Sequence, residues 1–141
     1  MTDTSNQERR ETVRKLMVQT PYIGGLGIEI VDWSENWAKL RLPFHERLTN
    51  DGRVYHGGVV ASLVDTAGAA AAWSGHDFSK GTKASTVSMT VNYLSAADRS
   101  DLMAEARAIK RGKELIFTTI EVTDVNEKQI ASAVLTYRIA L

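Results

Sequence analysis

Apolar residues recur along this chain with two different periods, and the places where the period changes mark out its elements. Near the start, Val13, Leu16 and Met17 form a narrow stripe at helical spacing that stops at Pro21, and Ser5 and Glu8 ahead of it stand at capping-box spacing. A short surface helix is predicted there. Gly24, Gly25 and Gly27 punctuate the chain, after which residues 28–32 and 37–42 read as two strands joined by a turn around Ser34, Glu35 and Asn36 and closed by Pro43. Residues 57–73 are apolar nearly all round and rich in alanine, which predicts a buried helix rather than a strand. Beyond it the period becomes two. Val87, Met89, Val91 and Tyr93 alternate with Ser88, Thr90 and Asn92, the pattern of a strand buried on one face, and three more strands are expected over 102–110, 114–123 and 129–140. Arg111-Gly112-Lys113 and Val125-Asn126-Glu127 separate them and are short enough for antiparallel hairpins.

The predicted order is helix, two strands, buried helix, four strands, an α+β layout in which a mainly antiparallel sheet packs on one central helix. A single sheet on a single helix leaves its other face to be covered, and oligomerisation would supply that cover. No repeat or linker divides the chain, so residues 1–141 are expected to form one domain, with 1–21 as its N-terminal helix and lead-in.

Composition narrows the function. Seventeen basic side chains balance seventeen acidic ones, whereas nucleic-acid binders usually carry a basic excess, so no nucleic-acid partner is expected. The absence of cysteine removes disulfides, thiolate metal sites and cysteine nucleophiles. The apolar run at 57–73 is shorter than the ~20 residues a bilayer requires and has Asp65 near its middle, so it is not read as a membrane span. Residues 1–10 are polar without an apolar leader core, which suggests a cytoplasmic protein.

Chemistry is sought where the pattern breaks. Asp65 is a carboxylate inside a helix that otherwise favours burial, and it requires either a partner or a task. His56-Gly57-Gly58 stands where that helix begins. Two successive glycines let a ligand approach the backbone while the first-turn N–H groups remain unpaired, an arrangement suited to an oxyanion. Each feature also has a bland explanation: a structural ion pair for Asp65, a capping role for His56, and core packing for Trp33, Trp37 and Trp73.

Taken together, Asn50, Gly52, His56-Gly57-Gly58, Asp65 seven positions after Gly58, and the strand over 85–94 resemble the hotdog-fold acyl-CoA thioesterases of the phenylacetate-degradation (PaaI-like) type over residues 22–140. The resemblance implies a curved sheet wrapped around the central helix and hydrolysis of an acyl-CoA. In that case the Gly57 amide polarises the thioester carbonyl, Asp65 acts as general base or nucleophile, Asn50 and His56 position water and thioester, and Thr86 supplies a hydroxyl near the acid. Gly58, Thr66 and Ser85 would border the substrate. Lys110, Arg111 and Lys113, the densest basic cluster of the strand region, would meet CoA phosphates. No metal or separate cofactor is implied, because CoA is part of the substrate. Two departures stand out: Ser95-Ala96-Ala97 where many relatives have proline, and Tyr55 in place of an aliphatic residue.

Two other hotdog functions remain open, an acyl-CoA hydratase or dehydratase and a non-catalytic acyl-CoA binding protein. Gly57 and Asp65 lie eight residues apart on one helix, about 12 Å along its axis, so a carbonyl bonded to the Gly57 amide would meet the carboxylate of the same chain only through a fully stretched water arrangement. Combined with the resemblance, this predicts a homodimer with shared active sites, paired again into a homotetramer.

Overall fold

The structure is a computed structural model that describes residues 2–141. Helix α1 spans Asp3–Met17, and α2 spans Pro21–Leu26. Strands β1 (Glu29–Ser34) and β2 (Trp37–Leu42) form a hairpin, and α3 runs from Gly57 to Ser74. Strands β3 (Lys83–Tyr93), β4 (Leu102–Arg111), β5 (Leu115–Thr123) and β6 (Gln129–Ala140) complete one antiparallel sheet in the order β1-β2-β4-β5-β6-β3. This is the hotdog arrangement, a curved antiparallel sheet around one long helix with a short helix ahead of it.

Alternation on the strands builds the core. Leu40 and Leu42 of β2, Leu102, Ala104 and Ala106 of β4, and Ile120 and Val122 of β5 all face α3, where Leu63, Val64, Ala67, Ala70 and Ala71 are fully buried. The many alanines allow the helix to lie close to the sheet, which is why it is apolar all round instead of striped.

The first helix starts earlier than the Ser5–Glu8 spacing suggests. Thr2 is the N-cap, and its hydroxyl accepts from the Ser5 amide at 3.1 Å, so Ser5 lies one turn inside. Polar contacts tie α1 to the segment after α3. The Asn6 side chain accepts from the Phe78 amide at 3.0 Å, and Arg10 Nε donates to the His76 carbonyl at 2.8 Å. The glycine-rich stretch expected to be irregular forms α2 because Pro21 starts it and Gly27, at φ 84°, closes it in the left-handed conformation.

The strand over 83–93 departs most from expectation. It is an edge strand, paired only with β6, and it is exposed at nearly every position instead of buried on one face. Val87 and Tyr93 are each 54% exposed, because neither α3 nor the curvature of the sheet covers this end within one chain. The free edge also lacks proline and has no charge beyond Lys83, so little discourages another strand from pairing with it.

Arg111 has a structural role. Its Nη2 donates to the Ala71 and Ala72 carbonyls at 3.2 and 2.8 Å, and its Nε to Asn36 Oδ1 at 2.5 Å, so it caps the C-terminus of α3 and ties it to the β1–β2 turn. Burial holds its guanidinium below the usual arginine range. Arg111→Met is expected to cost about 2 kcal/mol by leaving those carbonyls unpaired, a loss that thermal melting would read directly. A melting temperature equal to wild type would show that the cap is dispensable.

Candidate active site

The loop before α3 is pinned at several points. The Tyr55 amide donates to the Ala97 carbonyl at 3.1 Å, the His56 amide to Leu48 at 3.0 Å, and the Asn50 amide to Val54 at 2.9 Å. Asp51 Oδ1 accepts from the Arg53 and Val54 amides at 2.9 Å each, and Gly52 turns the chain at φ 87°. Asn50 is exposed at this corner, with its side chain directed to neither Asp65 nor Gly57 by any bond.

His56 is the N-cap of α3, and its Nδ1 accepts from the Gly58 amide at 2.8 Å. A neutral imidazole that accepts at Nδ1 carries its proton on Nε2, so the exposed edge of His56 is a donor. Gly58 is required for this close approach, since a Cβ there would stand 2.9 Å from His56 Nδ1. The Val59 amide reaches the His56 carbonyl at 3.0 Å. Among the described residues, the Gly57 amide has no acceptor, so it is the open donor at the positive end of an 18-residue helix.

Asp65 lies eight residues further on and is half-buried. Thr86 Oγ1 donates to its Oδ1 at 2.6 Å, which leaves Oδ2 open. A bulge between Thr86 and Ser88 re-aims β3 at this point. The carboxylate borders a depression of about 270 Å³ walled by Met17, Ile23, Ala69, Trp73 and Tyr137. Trp73 Nε1 donates to Tyr137 Oη at 3.3 Å, and burial raises the Tyr137 phenol above its ordinary range. The lining mixes apolar side chains with Asp65 and the hydroxyls of Thr20, Thr66, Thr86 and Tyr137, so an acyl group would find an apolar wall on one side and polar groups on the other.

Gly57 opens into a different depression, of about 360 Å³, bordered by Tyr93, Val60, Ala96 and Ile130. One chain therefore keeps the donor and the acid apart, about 12 Å along the helix.

The other expected site residues are scattered. Thr66 borders the Asp65 depression, but its hydroxyl donates to the Ser62 carbonyl at 2.8 Å. Ser85 pairs with Arg138 and lies on the sheet face opposite Thr86, which pairs with Tyr137. Lys110 and Lys113 are exposed near the β4–β5 hairpin, beside the C-terminus of α3 and at the far end from Gly57. Arg111, between them, is turned inward onto α3, where its Nε and Nη2 are already engaged. Of the three tryptophans only Trp73 borders the Asp65 depression, while Trp37 donates to Glu105 on the opposite face at 2.8 Å. Met17 and Ile23, from the N-terminal helices, and Tyr93 were not expected here. Their places depend on how distant segments pack, and no local spacing signals them. Among the described residues no group of three His, Asp or Glu side chains is disposed to hold a metal ion, and no helix is long and apolar enough to cross a membrane.

Residues 52–131 match the model of the thioesterase superfamily. The chain belongs to that superfamily. Proteins of Halobacterium salinarum and Saccharolobus solfataricus, each named "Putative esterase", are 33% and 31% identical to it. The first alignment covers 75% of this chain and 76% of the relative, the second 89% and 81%. The fold matches that of the Escherichia coli PaaI protein of the phenylacetic acid degradation operon at a TM-score of 0.83 and 24% identity, over 95% of both chains. This thioesterase-superfamily chain is thus a hydrolase of the thioester-cleaving class with a hotdog fold, and the superfamily match begins at Gly52, in the loop that leads to His56 and Gly57.

In such a hydrolase, Gly57→Ala separates packing from chemistry. A Cβ at Gly57 would lie 3.6 Å from the Tyr93 ring, ordinary contact, and alanine is the better helix former. The variant is expected to melt at or above the wild-type temperature while its turnover falls at least about tenfold, since the methyl crowds the open amide. Unchanged turnover would remove the Gly57 amide from the reaction.

Proposed function

We propose that this chain hydrolyses an acyl-CoA thioester to the free acid and CoA, in a site assembled from two copies of the chain. The observation that carries this reading is that the open Gly57 amide and the open oxygen of Asp65 lie in separate depressions on one chain, beside a strand that has one edge unpaired and exposes Val87, Met89 and Tyr93.

Two copies related by a two-fold axis, joined through β3, would bring Gly57 of one chain opposite Asp65 of the partner subunit and form two equivalent sites. The thioester carbonyl would accept from the Gly57 amide, where the helix dipole also favours the developing oxyanion. The His56 Nε2–H and the Asn50 side chain would hold the thioester and the water. Asp65 of the partner subunit, held by Thr86, would take the proton of an attacking water or attack the carbon itself. In the first route the water oxygen bonds to the carbon as the C–S bond breaks, and the proton taken by Asp65 passes to the leaving CoA sulfur; in the second the C–S bond breaks to leave an acyl–Asp65 anhydride, which water then hydrolyses to the free acid and the regenerated carboxylate, a proton of that water going to the CoA sulfur. Lys110 and Lys113 supply positive charge for the nucleotide end, and a second pairing of dimers would give a tetramer.

A panel of acyl-CoA esters with a thiol-trapping dye tests the reading. Release of the CoA thiol from at least one ester is expected. A change at the acyl double bond without thiol release would indicate a hydratase or dehydratase, and binding without either reaction would indicate a carrier or sensor.

A further inference from the structure

Tyr93 has no part in the mechanism above, yet it is bonded to the peptide on which that mechanism depends. Its hydroxyl donates to the Gly57 carbonyl at 2.8 Å, and its ring stands where a Cβ on Gly57 would meet it at 3.6 Å. That carbonyl belongs to the same peptide group as the Gly58 N–H, which in turn donates to His56 Nδ1 at 2.8 Å. The three groups form one chain: phenol to carbonyl, through the conjugated amide, to imidazole. Donation to a peptide oxygen draws electron density from its nitrogen and makes the N–H the stronger donor, so each bond reinforces the next. The phenol also restrains the rotation of this peptide plane, and with it the aim of the neighbouring Gly57 amide.

We propose that Tyr93 is a positioning residue of the active site, which keeps His56 in the tautomer with its proton on Nε2 and keeps the first turn of α3 aimed at the thioester carbonyl. The catalytic part of this inference rests on the function proposed above, whereas the tautomer part stands on the bonds alone. Tyr93 ends the edge strand, and its hydroxyl spans 36 residues of sequence to reach the helix start. It therefore also ties the strand that carries Thr86 to the helix that carries Asp65.

The test is Tyr93→Phe, which keeps the ring and removes only the hydroxyl, beside Tyr22→Phe as a matched control. Tyr22 also bonds α3 through its hydroxyl, to Ser62 Oγ at 2.9 Å, but lies outside both depressions. Imidazole nitrogen shifts, assigned with a His56→Asn variant, report the tautomer, and the Gly58 amide proton shift reports the bond to His56. In wild type and in Tyr22→Phe, the His56 signals should be those of a fixed Nε2–H form. In Tyr93→Phe they should move toward a mixture of tautomers, the Gly58 amide shift should move to that of a weaker bond, and kcat should fall about tenfold with KM within about twofold. Unchanged His56 and Gly58 signals would overturn the proposal, even if activity fell, because the loss would then come from elsewhere. If the wild-type protein cleaves no acyl-CoA, the proposed function fails, and the magnetic-resonance comparison still decides whether Tyr93 holds His56.

Discussion

Asp65→Asn is expected to reduce turnover by roughly a thousandfold, about 4 kcal/mol of barrier, while leaving the fold intact. An amide can neither take a proton from water nor attack a thioester, so the chemical step loses its base or nucleophile in either version of the mechanism. The fold has little reason to respond. The replacement is isosteric, and the side-chain oxygen that accepts from Thr86 Oγ1 at 2.6 Å is retained. Asp65 has no ion pair among the described residues, so no partner charge is stranded by its removal. The melting temperature is therefore expected to hold or rise. A variant that keeps more than about a tenth of wild-type turnover, a barrier change of only ~1.4 kcal/mol, would remove Asp65 from the mechanism.

The second large effect is a recovery. Asp65→Asn chains and Gly57→Val chains are each expected to be inactive alone and to regain activity when mixed and refolded together. In a mixed dimer one site receives Gly57 from the first chain and Asp65 from the second and is intact, while the other site is damaged twice. Purified heterodimers should then approach about half of wild-type activity, and an unselected equimolar refold about a quarter. The 12 Å of helix between the two groups makes this outcome specific, because a site within one chain could not be restored by mixing. Verified heterodimers no more active than their parents, or full activity in a monomer, would disprove the shared site.

How much could be read beforehand differed by element. The alternation over 102–110 and 114–123 matched β4 and β5 closely, since each strand buries one face against α3 within the same chain. The same alternation over 87–93 suggested a buried face that one chain does not provide, because a period of two states only that one face is apolar and not what covers it. Ser5 and Glu8 had the right spacing for a cap, but Thr2 offered a hydroxyl one turn earlier.

The sequence by itself determined the α+β layout, the long central helix, and the presence on that helix of both a glycine at its start and a carboxylate eight residues on. These follow from local periodicity and from residue chemistry that contradicts its surroundings. Tertiary structure alone decided that Arg111 closes the helix instead of facing solvent, that Ser85 and Thr86 lie on opposite faces of the sheet, that Met17 and Ile23 wall the Asp65 depression, and that Tyr93 reaches the Gly57 carbonyl. Each of those contacts joins segments between roughly 35 and 50 residues apart or depends on the side of a pleat, and such separations are set only when the whole sheet closes on its helix.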